Sequence, residues 1–313
     1  MKLFVALMAL VAGVFSQTPS TPQVFVINKA ANTMSVFGAG SLVVAQTVTL
    51  GRGPHELALA PDGLKAYVPN TGDNTVSVVD LKTFAETKKI SSSDFAYPHG
   101  VAFTPDSRRA VITSERAQKI VVIDATTDTV LRSIATDQGG THMVVINKAG
   151  TWAYLTNRQS NTVSFLDLRN YTIAANVAVG RGGEGIALSP DEKEIWVSNV
   201  PEGTLSVIDV ARRETVATIP VGQSPFRVAF TPDGKHALAA SSGAGITVLD
   251  TASRKAVTTV AARGATGVVV SVDGKAAFVS CGSANEVQVI DTATWKVTGS
   301  VGVGRSPDGL AYR

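Results

Sequence analysis

Residues 54–80 read PHELALAPDGLKAYVPNTGDNTVSVVD, and the same pattern returns five more times along the chain. Each copy closes on an aspartate, and successive aspartates are 44, 43, 42, 41 and 41 residues apart. These closing residues are Asp80, Asp124, Asp167, Asp209, Asp250 and Asp291. Self-similarity at a period near 42 residues indicates a repeat architecture, so the repeat unit predicts the fold.

Each unit contains four short β-type runs separated by turn residues. In the first unit the runs are HELALA, KAYVP, TVSVVD and AETKKI. Pro61, Asp62 and Gly63 suit a tight turn after the first run, because glycine adopts a positive φ without strain. The first three runs are apolar at nearly every position, which indicates strands covered on both sheet faces. Six such units are typical of β-propeller blades.

The two ends of the chain complete a seventh unit. The C-terminal sequence GRSPDGLAYR matches the first strand of a unit and then stops. Near the N-terminus, VFVIN, TMSVFG and LVVAQTV match the second, third and fourth strands. The sequence therefore predicts an all-β, seven-bladed β-propeller in one domain, 22–313, with four antiparallel strands per blade. Its closing blade is shared between the N- and C-termini, so no inner strand edge is left unpaired.

Short motifs within the repeats carry a family resemblance. AYVPN, AYLTN, NTVSVVD and GTLSVID, together with SPDG-like turns, resemble the YVTN-repeat family of seven-bladed propellers. The likeness covers 22–313. The resemblance implies an exported protein that binds ligands or surfaces. Some members of the family look like relatives of propellers that carry haem or metal. Because one fold hosts many chemistries, function must be argued from the site.

The N-terminal residues predict export. Lys2 precedes an apolar run of 13 residues, Leu3 to Phe15, which is too short to span a bilayer comfortably. We interpret 1–16 as a secretory signal peptide and 17–21 as a linker, which predicts a secreted or periplasmic protein with no transmembrane span. Cys281 is the single cysteine. The fold therefore has no internal disulfide and depends on its core.

Charge and motifs argue against several classes of cofactor and partner. The net charge is +3 and no block of Lys or Arg is present, which argues against a nucleic-acid partner but permits a small anionic one. GRGGEG, 180–185, links two blades and lacks the strand and helix of a dinucleotide site, so no nucleotide cofactor is predicted. C-x-x-C-H is absent, so no covalent haem is predicted. We expect a monomer.

Three of the four histidines share one register of the repeat. The residues at this position, near the start of the first strand in each unit, are His55, His99, His142, Glu184, Phe226, Thr266 and Asp308. The first strand of a blade is the innermost one, so its start lies at one mouth of the central channel. Around the ring the three imidazoles are neighbours, with one carboxylate at each end. The fourth histidine, His236, lies outside this register.

Imidazoles and carboxylates are ligands for transition metals. We therefore predict a zinc, copper or iron site with His55, His99 and His142 as ligands. Glu184 and Asp308 would be further ligands, partners of an imidazole N–H, or a general base for bound water. Two alternatives remain open: a small organic anion held by the same residues, and a polar channel mouth without a specific ligand.

Arginines recur close to the same register. Four of them precede it by three residues, and one follows Phe226 directly: Arg52, Arg181, Arg263, Arg305 and Arg227. Guanidinium groups at the channel mouth would bind carboxylates or phosphates. The alternative is that they are ordinary solvated loop residues.

The sequence thus predicts an exported propeller that binds a transition metal, a small anionic ligand, or both, at one mouth of its channel. A metal-dependent lyase, hydrolase or oxidoreductase using the same site is the first alternative. The second is a non-catalytic scaffold that binds a protein partner through its rims. The residues leave open whether any reaction is catalysed.

Overall fold

A computed structural model describes residues 22–313, so the predicted signal peptide and linker lie outside the described residues. The described chain forms seven antiparallel sheets of four strands each, which confirms the predicted seven-bladed propeller. One short 3-10 turn, Val200–Glu202, follows a strand of the fifth blade. Across 22–313, no helix has the length and apolar character needed to cross a membrane.

The blades are numbered from the one that contains both chain ends, and their strands are given from the channel outward. Blade 1 consists of β28 (Pro307–Tyr312), β1 (Gln23–Asn28), β2 (Thr33–Gly38) and β3 (Val44–Thr49). Blade 2 consists of β4 (Ala58–Leu59), β5 (Lys65–Asn70), β6 (Thr75–Asp80) and β7 (Ala85–Ser91). Blade 3 consists of β8 (Pro98–Phe103), β9 (Arg109–Ser114), β10 (Lys119–Asp124) and β11 (Thr129–Ala135). Blade 4 consists of β12 (Thr141–Ile146), β13 (Trp152–Asn157), β14 (Thr162–Asp167) and β15 (Thr172–Ala178).

The remaining blades repeat this order. Blade 5 consists of β16 (Gly183–Leu188), β17 (Glu194–Asn199), β18 (Thr204–Asp209) and β19 (Glu214–Pro220). Blade 6 consists of β20 (Pro225–Phe230), β21 (His236–Ser241), β22 (Gly245–Asp250) and β23 (Lys255–Val260). Blade 7 consists of β24 (Ala265–Val270), β25 (Ala276–Cys281), β26 (Glu286–Asp291) and β27 (Lys296–Gly302).

The core lies between neighbouring blades, as the apolar runs predict. Tyr67 and Val76 of blade 2 pack in one buried cluster with Phe103 and Ile112 of blade 3. Complete burial of each such side chain stabilises the fold by about 1.5–3 kcal/mol. The outermost strands are instead largely exposed on one side, as in β7 (Ala85–Ser91).

The chain closes on itself as predicted. β28 pairs antiparallel with β1, with Val24 opposite Tyr312 and Val26 opposite Leu310. The Gln23 N–H donates a backbone hydrogen bond to the Arg313 carbonyl, with 2.8 Å between nitrogen and oxygen. Both ends of the described chain are therefore held in one sheet.

The inner strands carry a bulge where each approaches the channel mouth. In blade 3, Pro98 lies opposite Ser114 and Val101 opposite Ile112, so β8 has one residue more than β9 between these pairs. Similar register shifts occur in blades 4, 5, 6 and 7. A bulge interrupts the strict alternation of side chains and redirects them. Six of the seven residues of the predicted register lie within such bulges, and His55 lies outside β4.

One predicted strand is shorter than expected. HELALA (55–60) is predicted as the first strand of blade 2, but only Ala58–Leu59 pairs as a strand, with an isolated bridge from Pro54 to Asn70. In blade 3, Gly100 lies close to blade 4, where an added Cβ would be 2.5 Å from the His142 carbonyl oxygen. Blade 2 has Glu56 at the position of Gly100, and its side chain bonds to the other side of the channel instead.

Candidate functional site at the channel mouth

The five predicted metal-site residues come together at the channel mouth. His55, His99 and His142 lie side by side, with ring centroids 4.7 Å apart for the first pair and 3.7 Å for the second. Asp308 contacts the first histidine and Glu184 the third. The arc of imidazoles between two carboxylates is thus present, and neighbouring rings are tilted against each other by 43° and 31°.

His99 is the middle ring of the three, and its side chain has no hydrogen bond to any of residues 22–313. It is only 2% exposed, and its Nδ1 is buried without a hydrogen-bond partner among the described residues. Burial and the neighbouring charges of His142 and His55 hold the pKa of His99 well below its ordinary value. The ring is therefore neutral at physiological pH and keeps a nitrogen lone pair.

His142 has the opposite environment. Its Nδ1 lies 2.8 Å from Glu115 Oε2 and its Nε2 lies 2.9 Å from Glu184 Oε1. Burial works to lower the pKa of His142, but the charge of Glu184 and hydrogen bonds to both carboxylates outweigh it and raise the pKa. Since both ring nitrogens are occupied, the protonated ring serves as a buried cation between two carboxylates.

Glu184 is the most heavily paired carboxylate of the site. Besides His142, it lies 3.3 Å from Arg227 Nη1 and 2.8 Å from Arg158 Nε. The Arg158 N–H does not point at the oxygen, so this contact is an ion pair without an aligned hydrogen bond. Burial works to raise the pKa of Glu184, but these three cations together lower it strongly.

A second ion pair crosses the channel. Arg227 of blade 6 donates from Nε to Glu56 Oε1 of blade 2 at 3.0 Å, and its Nη2 contacts the same oxygen. Both side chains are almost fully buried. Burial, the largest influence, raises the pKa of Glu56 despite the Arg227 charge. The pair joins the two walls of the channel.

Asp308 orients His55. Its Oδ2 lies 3.1 Å from His55 Nδ1 and 3.3 Å from Lys29 Nζ. Burial works to raise the pKa of Asp308, but the His55 hydrogen bond and the charges of Arg227 and Lys29 lower it to about 2. The carboxylate therefore stays ionised and directs Nδ1 of His55 toward itself, which leaves Nε2 for another ligand.

The predicted arginines do not act as one group. Arg227 belongs to the buried network, whereas the other four are exposed. Arg181 pairs with Glu202, and Arg305 donates to the Ala30 carbonyl. The assignment of Arg52, Arg181, Arg263 and Arg305 to an anion site stays a prediction, and the structure places none of these four in contact with the histidine cluster within 22–313.

The predicted register does not contain a second ring of site residues, of which the sequence singles out only Arg158, as a further arginine of the channel mouth. Lys29, Glu115 and Arg158 each follow the second strand of a blade directly, at equivalent places in blades 1, 3 and 4. Their backbone N–H groups donate to the residue two positions before the predicted register in the same blade. Aligning this second position across the repeats would have revealed three charged residues. Glu56 had no such signal, because its partner lies across the ring.

The charges are arranged in two layers. The four carboxylates Glu56, Glu115, Glu184 and Asp308 are largely buried. Lys29, Arg116 and Arg158, from blades 1, 3 and 4, are more exposed. The outermost layer is thus cationic and favours the approach of an anion.

As placed in 22–313, no three His, Cys, Asp or Glu side chains form a ready metal-binding group. His142 and Glu184 are engaged with each other and with arginines. His55 and His99 differ, since each retains a ring nitrogen that does not bond to a carboxylate. The five-residue ligand set therefore stays a prediction, and the geometry favours two of its members.

The fold and this site define a class: a seven-bladed β-propeller with a charged, histidine-containing channel mouth. The profile of the YNCE-like beta-propeller family matches residues 4–312, and the chain belongs to that family. This confirms the resemblance to seven-bladed repeat propellers inferred from the sequence motifs.

Two curated relatives match part of the chain. They are the proteins called "Uncharacterized protein YncE" of Salmonella typhimurium and of Salmonella typhi, each 25% identical over 194 residues. The matched region is 58% of this chain and 54% of each relative, so the chain spans about half the length of the curated relatives it matches.

Solved structures show the same fold. A chain of Kuenenia stuttgartiensis hydrazine synthase has a TM-score of 0.76 and 17% identity over 82% of this chain and 88% of its own length. A functionally unknown protein from Desulfotomaculum acetoxidans has a TM-score of 0.81 and 15% identity, covering 94% of this chain and 99% of its own length. At these identities the likeness concerns the fold alone.

Proposed function

We propose that this propeller is a binding protein that holds one late transition-metal ion, copper or zinc, at its channel mouth through His55 and His99. The observation that carries the proposal is the neutral, buried ring of His99, whose Nδ1 has no partner among the described residues. An orphaned buried nitrogen is unfavourable unless a ligand engages it. Imidazole is a preferred ligand of both metals.

His55 has the arrangement expected of a second ligand. Its Nδ1 faces the Asp308 carboxylate at 3.1 Å. Metal-binding histidines commonly donate their other ring N–H to a carboxylate, which fixes the tautomer and increases the basicity of the ligating nitrogen. Asp308 is thus the orienting partner of His55, in one of the roles that the sequence allows.

His142 and Glu184 have a different role in this proposal. They form a charged pair beside the ligands, because both ring nitrogens of His142 and the carboxylate of Glu184 are engaged. Two imidazoles leave coordination positions for solvent or for a small anion, which the outer cations Lys29, Arg116 and Arg158 would attract. Export to the periplasm or cell exterior is part of the proposal and rests on the sequence of residues 1–16 alone.

The test is a calorimetric titration of Cu²⁺ and of Zn²⁺ into untagged protein, after a chelator has stripped bound metal and has itself been removed. We expect close to one equivalent of metal to bind the wild type. His55→Ala and His99→Ala should each weaken binding by more than the roughly 10–100-fold that loss of an orienting partner causes. His142→Ala should retain binding within a few-fold, provided that it folds.

His236→Ala is the matched control, since His236 lies in β21 outside the site and its ring contacts Trp295. If His99→Ala does not fold, His99→Leu keeps much of the buried volume and removes the ring nitrogens. A wild-type protein that binds neither metal, or equal losses in the His55, His99 and His236 variants, would show that this proposal is wrong.

A further inference from the structure

Tyr97 occupies a backbone position that the fold fixes in every blade. The equivalent residues, two positions before the predicted register, all have positive φ between 55° and 71°: Gly53, Tyr97, Gly140, Gly182, Ser224, Gly264 and Ser306. In each blade the carbonyl oxygen of this residue accepts a hydrogen bond from the first residue after the second strand. The left-handed conformation is therefore a requirement of the propeller, independent of the side chain.

The side chain at this position is small in six of the seven blades. Four blades have glycine and two have serine, whereas blade 3 has tyrosine with φ 60°. A bulky residue in the left-handed region is unfavourable by comparison with glycine and persists only when its surroundings compensate for it. Tyr97 thus requires an explanation beyond the turn it forms.

Other aromatic residues with positive φ show what compensation normally looks like. Phe84 and Trp295 adopt φ 54° and 55° in the turns between third and fourth strands, and their rings pack against the apolar clusters between blades. Tyr171, with φ 62°, lies in the same kind of turn, and the Arg132 guanidinium covers its ring. Tyr97 joins none of the apolar clusters found within 22–313. Its ring packs on the site instead.

The contacts of the Tyr97 ring are with the two proposed ligands. Its centroid lies 6.3 Å from that of His99, with the planes 18° apart, and 6.2 Å from that of His55. The Arg116 guanidinium lies over the Tyr97 ring, 4.5 Å from its centroid. Such aromatic and cation–π contacts fix the ring in place.

We propose that Tyr97 is a positioning residue of the channel-mouth site, whose ring holds His55 and His99 in the orientation that binds the metal. This inference rests on the proposed function. It explains why blade 3 alone replaces glycine or serine with an aromatic residue, at the point where the ring reaches both imidazoles. The backbone strain at Tyr97 is tolerated because its ring holds the two ligand rings in place.

The experiment compares Tyr97→Gly, Tyr97→Phe and the matched control Ser224→Gly, which makes the same backbone change across the channel, in blade 6. Each variant is titrated with Cu²⁺, its Cu²⁺ absorption spectrum is recorded, and its melting temperature is measured without metal. We expect Tyr97→Gly to weaken Cu²⁺ binding about tenfold and to shift the spectrum. Tyr97→Phe should bind within about twofold of wild type and restore the spectrum, because it keeps the ring.

The substitutions should affect the melting temperature differently from Cu²⁺ binding. Tyr97→Gly should melt within about 2 °C of wild type, since relief of the left-handed strain offsets the lost ring contacts. Ser224→Gly should leave both binding and spectrum unchanged. If Tyr97→Gly does not fold, Tyr97→Ser introduces the residue that blades 1 and 6 already have at this place.

The outcomes separate the two proposals. A wild type that binds Cu²⁺ together with a Tyr97→Gly variant of equal affinity and spectrum would overturn the role of Tyr97 and leave the metal site standing. A tenfold loss in Tyr97→Phe would also overturn it, because the phenol oxygen rather than the ring would then matter. A wild type that binds no metal would overturn the proposed function, and this inference with it.

Discussion

The two sides of the channel mouth share one backbone and differ in their side chains. Blades 1–5 place Asp308, His55, His99, His142 and Glu184 in the inner-strand register, whereas blades 6 and 7 place Phe226 and Thr266 there. The bulge and the left-handed residue before it occur on both sides. The propeller thus provides seven equivalent positions, and side-chain chemistry alone makes one side a candidate site.

One residue further along the inner strands, a side chain connects the two sides of the channel mouth. The apolar side contributes Arg227, next to Phe226, and this guanidinium crosses the channel to Glu56 and Glu184. Buried carboxylates on one side therefore depend on a cation from the other. The two sides are complementary parts of one charge network.

The largest effect should come from removing the strand that joins fold and site. Deletion of residues 304–313 removes β28, which pairs with β1 and contains Asp308. We expect loss of the cooperative unfolding transition, because the lost pairing and burial are comparable with the whole stability of a typical domain, about 5–15 kcal/mol. Thermal unfolding followed by circular dichroism measures this.

Asp308→Asn is the control for that deletion, since it removes the charge and keeps the strand. It should retain a cooperative transition. A truncated protein that melts like the parent would contradict the closing role of β28. It would also mean that the strand carrying Asp308 is not needed to close the ring.

The next effect concerns the pair that joins the two sides. Arg227→Met leaves Glu56 and Glu184 short of a buried partner, and we expect the free energy of unfolding to fall by about 3–5 kcal/mol. The Glu56→Gln/Arg227→Met double variant should recover part of this, with a coupling energy of about 2 kcal/mol in a double-mutant cycle. Urea unfolding of the four proteins measures both quantities.

Arg181→Met is the matched control, because Arg181 pairs with Glu202 at an exposed position. Exposed pairs contribute at most about 1 kcal/mol, so this variant should remain close to wild type. Equal losses at Arg181 and Arg227, or a coupling energy near zero, would mean that the two sides of the channel are energetically independent.

The fold could be predicted from the sequence because the repeat is explicit. Each apolar run, turn and closing aspartate recurs near the same spacing, and the two incomplete ends match complementary parts of one unit. The exception is the first strand of blade 2, predicted over 55–60 and paired only at Ala58–Leu59. There blade 2 has Glu56 where blade 3 has Gly100. Glu56 pairs with Arg227 across the ring, and the repeat pattern does not show this contact.

The candidate site was predictable in position but not in pairing. The register locates His55, His99 and His142 as neighbours, because equivalent residues of adjacent blades are adjacent in space. It does not reveal that Glu115 and Arg158 enter from a different loop and occupy His142 and Glu184. Which imidazole keeps a free nitrogen depends on those contacts, and such contacts do not follow a single repeat position.

The smallest predicted effect is a pH dependence of the free energy of unfolding that comes from the charged side of the channel mouth. The pKa of Asp308 is lowered to about 2 from its ordinary 3.8 by the His55 hydrogen bond and by Arg227 and Lys29, against burial. A lowered carboxyl pKa stabilises the fold above the unfolded pKa and loses that contribution as pH falls through the folded pKa. A shift of this size corresponds to about 2 kcal/mol.

Without metal, Asp308→Asn should therefore be less stable than wild type by about 2 kcal/mol at pH 6, and the two should converge as pH falls from about 4 to about 2. Glu56 faces Asp308 with its pKa raised, so its protonation in acid relieves a repulsion that only the wild type has and opposes part of the convergence. Urea unfolding at several pH values measures the difference, with His236→Ala expected to follow the wild-type curve. A constant difference between pH 6 and pH 2 would mean that Asp308 does not draw its stability from His55, Lys29 and Arg227, and that the charged side of the mouth is no more than a solvated rim.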